Sequence, residues 1–271
     1  MTREKTETNY QWNAADYAGH SEAQQQWALE LMKRLDLRGD EHLLDLGCGD
    51  GKVTAVLAAG LPNGLVVGVD SSRQMIDLAI ATYPDTINNN LSFQLQDVRY
   101  LPFEQQFDVV FSNAALHWVV DHKPVVQDIF QALKPGGKVL VQMGGKGNAE
   151  ELIGTLEIIM QQPGWKEYFT DFIFPYGFYA SEEYEPWLQK AGFTDLSLKL
   201  KPKVMVHKTR ERFTGWLRTT WLPYFERIPP SRKEEFIETV VDSYLSASTV
   251  DETGIITTMM QRLEYMARRP E

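Results

Sequence analysis

Residues 42–51, HLLDLGCGDG, decide the fold of this chain. A short apolar run that ends in three alternate glycines is typical of a buried parallel strand that turns sharply into a helix. Glycine permits the tight turn and lets a ligand approach bare backbone. The next apolar run, 65–70, ends in Asp70, whose carboxylate offers two acceptors to a ribose diol. Together the two segments predict a cofactor that contains a nucleoside.

The glycine spacing differs from that of a NAD-binding loop. The dinucleotide fingerprint is G-x-G-x-x-G, and its third glycine, counted from Gly47, falls at Lys52, whereas this chain has Gly51. Asp45, just before the first glycine, would repel a pyrophosphate and attract an α-amino group. A third strand-like run is followed by Asp97, an acceptor for an exocyclic amine. Carboxylates after successive strands suit a cation with an amine, a ribose and an adenine, which describes S-adenosylmethionine.

Five segments resemble the motifs of the class I S-adenosylmethionine-dependent methyltransferases, in that family's order and spacing. The segments are LLDLGCGDGK (43–52), VVGVDSSRQMI (66–76), LQDVRYLPF (95–103), FDVVFSNAALHWV (107–119) and LKPGGKVLV (133–141). The resemblance covers residues 40–145, which we interpret as the cofactor-binding core.

The resemblance implies which residues hold the methionine end and the ribose of the cofactor. Asp45 and the backbone of Gly47 hold the amino end, and Asp70 binds the ribose. Tyr17 and Gln24 either close over the cofactor or anchor the first helix. The other expected contacts in these motifs are Gly49, Gly51 and Ser71.

The resemblance also implies how the adenine and the reacting methyl group are placed. Met75, early in the helix after the second strand, packs on the adenine. Asp97 and Val98 contact the adenine edge. Asn113, at the end of the fourth strand, lies beside the reacting methyl group.

Composition predicts one soluble domain that spans residues 1–271. With 271 residues, 43% of them hydrophobic, the chain can bury a substantial core. A net charge of −10 disfavours nucleic acid and anionic membranes as partners. The polar N-terminus, the lack of an apolar run of membrane-spanning length and the single cysteine predict a cytoplasmic protein. Cys48 is interpreted as a small residue that fills a tight turn, and no residue spacing indicates a metal site.

Strands and helices alternate up to residue 145. This rhythm predicts an α/β fold with a doubly wound, seven-stranded, mostly parallel sheet of the Rossmann-like methyltransferase type. The predicted strands of this part lie at 42–47, 65–70, 91–96, 107–112 and 137–143, after a first helix near 21–36. Further on, a strand at 194–206 and a final strand at 262–268 enclose an aromatic helical segment, 209–255. We interpret that segment as a lid inserted before the last strand.

Shorter motifs resemble two groups of methyltransferases that act on acids. The pieces FTGWLRTT (213–220), LPYFERIP (222–229) and RLEYMARR (262–269) are similar to the trans-aconitate methyltransferase group. Tyr17, Ser21 and Gln24, with the run Leu116-His117-Trp118, resemble insect juvenile hormone acid methyltransferases. Both groups methylate carboxylic acids, so the resemblance implies ester formation on a small-molecule carboxylate.

An acid acceptor needs alignment, exclusion of water and a cationic partner. Arginine matches a carboxylate bidentately, and Arg210, Arg212 and Arg218 lie in the predicted lid. Arg218 is the predicted substrate contact among them. Trp118 and Trp221 are predicted to wall the substrate pocket, with packing of the loop or of the lid as the alternative reading.

The role of His117 depends on which atom of the substrate accepts the methyl group. A carboxylate is ionised at neutral pH and needs no general base, whereas a nitrogen or carbon acceptor usually needs one, and His117 is the candidate. His117 could equally be a packing or hydrogen-bonding residue. A third alternative is a cofactor-binding protein whose catalysis has lapsed.

Overall fold

The computed structural model describes residues 22–247 and 254–271, and in them seven strands form one sheet with the order β3-β2-β1-β4-β5-β7-β6. The strands are β1 (His42–Leu46), β2 (Leu65–Asp70), β3 (Leu91–Leu95), β4 (Phe107–Asn113), β5 (Leu133–Gly144), β6 (Thr194–His207) and β7 (Ile256–Arg268). The pairs among β1 to β5 are parallel, and β7 runs antiparallel to β5 and β6. The predicted seven-stranded, mostly parallel sheet is confirmed.

Helices cover both faces of this sheet and form the segment that was predicted to be a lid. They are α1 (Glu22–Met32), α2 (Lys52–Ala59), α3 (Arg73–Thr82), α4 (His122–Ala132), α5 (Glu150–Met160), α6 (Ser181–Ala191), α7 (Arg210–Thr220), α8 (Leu222–Phe225) and α9 (Lys233–Ala247). α1 ends at Met32 rather than near 36, because the chain turns there and Asp36 has a φ of 45°. Within 22–247 and 254–271, no helix combines the length and apolar character needed to cross a bilayer.

The central strands are buried on both faces, as their continuous apolar runs predict. Leu43 packs with the helices on one face and its neighbour Leu44 with those on the other, because successive side chains of a strand point to opposite faces. Val109 and Val110 of β4 likewise pack on opposite faces of the sheet. Two apolar layers therefore hold the ends of β1 and β4 rigidly.

The aromatic helices α7, α8 and α9 lie between β6 and β7 in the chain, where the lid was predicted. Their aromatic side chains and the aliphatic side chains of α5 form a separate core that includes Phe213, Trp216, Tyr224, Phe236 and Tyr244. The aromatic series of this segment therefore serves largely as the lid's own core.

The last strand is longer than predicted. β7 begins at Ile256, so the start predicted at 262 is wrong. Residues 256–261 pair only with β6, from Ile256 opposite His207 to Gln261 opposite Pro202, beyond the end of β5. The sequence TTMMQ lacks an apolar and polar alternation, although its side chains alternate between buried and exposed.

The order of the strands places a crevice beside β1. β1 lies between β2 and β4, so the chain leaves β1 toward one side of the sheet and later returns to the other. Ligands of open α/β sheets bind outside the carboxyl ends of the strands at such a switch point. Asp45, which pairs with Gly68 of β2 and Phe111 of β4, lies at this place.

Candidate functional site

The loop after β1 has the backbone geometry that its glycines predict. Gly47, Gly49 and Gly51 have φ angles of 74°, 55° and 81°, in the left-handed region that favours glycine. The backbone N–H groups of Gly47 and Cys48 donate to the carbonyl oxygen of Val69 at 2.8 and 3.0 Å, which ties the loop to the end of β2. A methyl group on Gly47 would lie 2.1 Å from Cβ of Ala115, whereas one on Gly49 would meet no atom within 4 Å. Gly49 therefore borders open space.

Asp45 is a buried carboxylate beside this loop. Its side chain accepts a hydrogen bond of 2.7 Å from the Thr54 hydroxyl of α2. Burial, with a further contribution from the charge of Asp70, raises the pKa of Asp45 to about 7. A cationic group bound in the crevice would stabilise the ionised carboxylate.

Asp70 connects the glycine loop to α3. One carboxylate oxygen accepts from the backbone N–H of Gly49 at 3.0 Å and the other from Ser72 at 2.8 Å. Burial raises the pKa of Asp70, and these backbone hydrogen bonds oppose the rise. Each carboxylate oxygen has two lone pairs, so the side chain keeps acceptor capacity beyond the two backbone bonds.

A cavity of about 440 Å³, here called the glycine-loop cavity, opens over the loop and Asp45, and Asp70 is not among the residues that line it. The predicted cofactor contacts that line it are Gln24, Asp45, Gly47, Gly49 and Asn113. Asn113 donates from Nδ2 to the backbone oxygen of Gln24 at 3.0 Å, which fixes α1 to the tip of β4. Sequence reasoning missed other lining residues, namely Gln25, Cys48, Asp50, Lys52, Val53, Phe111 and Ala114.

The remaining predicted cofactor contacts lie outside the lining of that cavity. Gly51 and Met75 are buried, and Ser71 is exposed after β2. Val98, which is half-buried, begins a short 3-10 turn after β3, next along the same edge of the sheet. Tyr17 lies outside the described residues.

Asp97 was expected to present its carboxylate to an exocyclic amine. Instead, both of its oxygens accept from the Arg99 side chain, with distances of 3.0 and 2.9 Å to Nε. The same side chain accepts from the backbone N–H of Arg99 at 2.9 Å. A cation two residues further along the turn therefore competes with any ligand for this carboxylate.

A second cavity of about 510 Å³, here called the acceptor cavity, shares Gln24 and Ala114 with the glycine-loop cavity. The lining brings together His117, Trp118 and Trp221, three of the predicted acceptor-site residues. The other lining residues are Trp27, Asn148, Tyr176, Phe178, Met205, Trp216, Thr220, Met260 and Arg262. The lining is thus mostly aromatic and combines the tip of β4 with the lid and the last strand.

Arg262 lines the acceptor cavity, whereas Arg218 was the predicted substrate contact. Arg218 is exposed on α7 and does not line the cavity, because the inward face of this helix presents Trp216. Arg262 of β7 lines it instead, with 3% of the residue exposed. The Arg262 guanidinium carbon is 5.4 Å from the ring centroid of Trp27.

Arg210 and Arg212, the other two arginines considered for the predicted lid, also do not line the acceptor cavity. Arg210 forms ion pairs with Glu238 and Asp242 of α9, and Arg212 is exposed. Met260, Arg262 and Glu264 occupy alternate positions of β7 and are all buried, but Met260 precedes RLEYMARR, where the last strand was predicted to begin. Recognising this alternation required the correct start of that strand.

His117 is buried and neutral. Its Nδ1 accepts from the backbone N–H of Gly144 at 3.4 Å, so the ring proton is on Nε2. Burial, together with the charges of Arg262 and His122, lowers the pKa of His117 well below its ordinary value. In this form the Nε2–H of His117 can donate a hydrogen bond, and the lowered pKa makes the ring a weaker base than an exposed histidine.

Cys48 is inert. Burial, with the nearby carboxylates of Asp70 and Asp45, raises the pKa of the thiol well above its ordinary value. The thiol stays protonated at neutral pH, and a thiol is a far weaker nucleophile than a thiolate. Within the described ranges, no group of His, Cys, Asp and Glu side chains is arranged to hold a metal ion.

Asp45→Asn is expected to raise the stability of the ligand-free protein at pH 8 and to leave it unchanged near pH 4. Because the pKa of Asp45 is about 7 when folded, only the folded state retains this proton between about pH 4 and pH 7. The stability that this proton contributes is full below about pH 4 and is lost as the pH rises to about 7. Thermal unfolding from pH 4 to 8 measures the gain, which is at most about 4 kcal/mol.

Asp77→Asn is the matched control for this experiment. Asp77 is an exposed acid on α3, so the pH dependence of its unfolding is expected to follow that of the unmodified protein. Identical pH profiles for Asp45→Asn and the unmodified protein would contradict the assignment.

Comparison with known proteins groups the chain with methyltransferases. A family model described as a methyltransferase domain matches residues 37–192. An uncharacterised methyltransferase of Schizosaccharomyces pombe is 31% identical in an alignment of 244 residues that covers 86% of this chain and 89% of the relative. A trans-aconitate 2-methyltransferase of Escherichia coli is 26% identical in an alignment of 269 residues that covers 96% of this chain and 99% of the relative.

A solved structure shows the same fold. Phosphoethanolamine N-methyltransferase 2 of Haemonchus contortus, in complex with phosphomonomethylethanolamine and S-adenosylhomocysteine, superposes with a TM-score of 0.59 at 24% identity. The superposition covers 91% of this chain and 53% of that one. Because the family model spans more than half of the chain and the fission yeast relative covers most of it, this chain belongs to the methyltransferase family.

Proposed function

We propose that the protein transfers a methyl group from S-adenosylmethionine to the carboxylate of a small organic acid. The observation that carries the proposal is the buried Arg262 guanidinium in the acceptor cavity, which adjoins the glycine-loop cavity. The Escherichia coli relative is named for trans-aconitate, a carboxylic acid. The Haemonchus contortus neighbour was solved with S-adenosylhomocysteine.

The glycine-loop cavity fits this cofactor by its chemistry. The buried Asp45, with a pKa of about 7, is stabilised in its ionised form by the ammonium group of the methionine end. The open space at Gly49 lets a ligand contact the loop backbone. Asp70 lies outside the lining of this cavity but accepts from the backbone N–H of Gly49, which does line it, and has lone pairs left for a ribose diol. When bound, the cofactor supplies an activated methyl group on a positively charged sulfur.

The acceptor cavity fits a carboxylate. Arg262 can hold one bidentately, and the Nε2–H of His117 is a second donor. A carboxylic acid is already ionised at neutral pH, so no side chain has to accept a proton. Trp118 and Trp221 contribute aromatic walls that exclude water and align the acid for in-line displacement.

The test is product analysis with methyl-deuterated cofactor. The protein is incubated with a panel of carboxylic acids and amines, and each product is treated with mild alkali before mass spectrometry. An ester gains the label and then loses it as methanol, whereas a nitrogen- or carbon-methylated product keeps it. Alkali-stable label would support the alternative nitrogen or carbon acceptor, and absence of label from every acceptor would support lapsed catalysis.

His117→Gln separates the two catalytic alternatives. For a carboxylate acceptor we expect kcat to fall less than about tenfold, because His117 contributes a hydrogen bond only. Loss of a general base would lower kcat by about 10² to 10⁴. The measurement is kcat against pH at saturating cofactor, which removes the contribution of cofactor binding.

A further inference from the structure

A third cavity, of about 410 Å³, opens on the face of the sheet that α1 covers. The described residues that line it are Arg34, Ser197, Lys199, Lys201 and Glu264, and none of these five lines the glycine-loop cavity or the acceptor cavity. We call it the basic cavity, because three of the five side chains are cationic. An apolar ligand would bury little surface against these polar side chains, so the cavity suits a small polar ligand.

The three cations come from distant parts of the sequence. Ser197, Lys199 and Lys201 occupy alternate positions of β6, so their side chains lie on one face of the sheet. Lys199 lies opposite Glu264 of β7. Arg34, in the turn after α1, reaches the same place, where its Nη1 is 2.8 Å from Oε2 of Glu264. Packing of α1 on the sheet therefore completes the basic cavity.

Glu264 is the buried member of this group, with 5% of its side chain exposed. Its Oε2 forms ion pairs with both Arg34 and Lys201, and its Oε1 accepts from Nε2 of Gln142 at 2.8 Å. A buried carboxylate has to be paired and hydrogen-bonded, and one cation together with Gln142 would meet that requirement. The other two cations of the basic cavity therefore exceed what Glu264 requires.

The neighbouring basic residues have acids of their own. Lys203, two residues beyond Lys201 on β6, forms an ion pair with Glu30 of α1. Arg268 of β7 has Asp195 at 3.9 Å. In the basic cavity, three cations and one carboxylate give the described lining a net charge of +2, in a chain whose net charge is −10. This part of the surface therefore attracts anions although the whole chain repels them.

The cations keep hydrogen-bond donors that a ligand can use. A guanidinium has five N–H donors and an ammonium group has three, and the ion pairs with Glu264 use one nitrogen of Arg34 and the single nitrogen of Lys201. The side chains of Arg34 and Lys201 are 34% and 40% exposed, and Lys199 is exposed. Phosphate and carboxylate oxygens are the acceptors that such groups bind, and a ligand with several negative charges is attracted by all three cations.

We propose that the basic cavity binds a compact oxyanion with two or more negative charges, of the phosphate or polycarboxylate class. Arg34, Lys199 and Lys201 contact its oxygens, and the hydroxyl of Ser197 donates a further hydrogen bond. The ligand is bound without chemical change. This site is separate from both cavities of the proposed methyl transfer, and it does not depend on which acceptor is methylated.

The test is calorimetric titration of the whole protein with pyrophosphate, citrate and nitrate at constant ionic strength. We expect pyrophosphate or citrate to bind saturably and at least tenfold more tightly than nitrate, because nitrate carries one charge. Tighter binding of pyrophosphate supports a phosphate compound as the natural ligand, and tighter binding of citrate supports a polycarboxylate. Absence of saturation by all three anions up to about 10 mM would overturn the proposal and leave the cations as partners of Glu264 alone.

Substitutions place the bound anion. Lys199→Met and Arg34→Met are each expected to raise its Kd about fivefold, since each removes one ion pair. Lys190→Met, at an exposed position of α6, is the matched control and is expected to leave the Kd unchanged. Arg262→Met identifies binding in the acceptor cavity instead. A Kd that rises in Arg262→Met and stays unchanged in Lys199→Met and Arg34→Met would overturn the assignment.

Glu264→Gln is expected to change the affinity in the opposite direction. The amide keeps the size of the side chain and removes the negative charge that Arg34 and Lys201 share. The Kd for pyrophosphate or citrate is therefore expected to fall about fivefold. A gain of affinity cannot come from a loss of folded protein, so this variant tests the basic cavity independently of stability. An unchanged Kd in folded Glu264→Gln would contradict binding at these cations.

Discussion

Asp70→Ala is expected to raise the Kd for S-adenosylmethionine about 100-fold or more. The carboxylate holds the backbone N–H groups of Gly49 and Ser72, and we propose that it also accepts from the ribose diol. Hydrogen bonds to a charged group contribute roughly 1.5–3 kcal/mol each, so the loss of two ligand contacts alone reaches this factor. Isothermal titration calorimetry measures the change directly.

Asp77→Ala is the control for the binding experiment on Asp70→Ala, and the pH dependence of cofactor binding is a second measurement. Asp77→Ala removes an exposed acid of α3 and is expected to leave the Kd unchanged. Because the charge of Asp70 contributes to the raised pKa of Asp45, Asp70→Asn is expected to shift the pH midpoint of cofactor binding below that of the unmodified protein. A near-normal Kd for Asp70→Ala would exclude the proposed ribose contact.

Gly47→Ala and Gly49→Ala are expected to fail in different ways. At Gly47 the new methyl group would lie 2.1 Å from Cβ of Ala115 at a φ of 74°. We expect a loss of roughly 2–5 kcal/mol in the free energy of unfolding from overpacking and backbone strain. At Gly49 the methyl group meets no protein atom within 4 Å, so stability falls by only about 1–2 kcal/mol from the left-handed backbone.

For cofactor affinity we expect the opposite order, with the larger loss in Gly49→Ala. The Gly49 methyl group occupies the space where the ligand approaches the loop, so the Kd for cofactor is expected to rise at least tenfold in a protein that remains folded. Ala115→Gly combined with Gly47→Ala removes the clash and is expected to recover the part of the stability lost to overpacking, while the strain of alanine at a φ of 74° remains. Denaturant unfolding and calorimetry on the same samples measure both quantities, and equal losses of stability at the two glycines would contradict this account.

The sequence could predict the β1 loop because local rules determine its geometry. Alternate glycines after an apolar strand require positive φ angles, and an acid that closes the next strand falls at the same edge of the sheet. Asp45, Gly47, Gly49 and Asn113 therefore line one cavity as expected. Their catalytic and binding roles remain predictions.

The acceptor side depended on information that is not local. Whether Arg218 or Trp216 faces inward is decided by how α7 packs on the rest of the lid, and both positions fit an amphipathic helix. The place of Arg262 in the cavity wall could be recognised only when the structure showed that β7 begins at Ile256. The adenine contact of Asp97 stays a prediction, and the sequence analysis did not anticipate the hydrogen bonds between its carboxylate and Arg99.

Gln24 and Ala114 line both the glycine-loop cavity and the acceptor cavity, so the two cavities adjoin at these residues. Thermodynamic coupling between two sites is reciprocal. If a bound acid raises the affinity of the protein for the cofactor, the bound cofactor raises its affinity for the acid by the same factor. In the proposed reaction, a cation in one cavity and an anion in the other are neutralised in a single event. The electrostatic attraction between the two ligands is then lost, and we expect the protein to bind both products more weakly than both substrates.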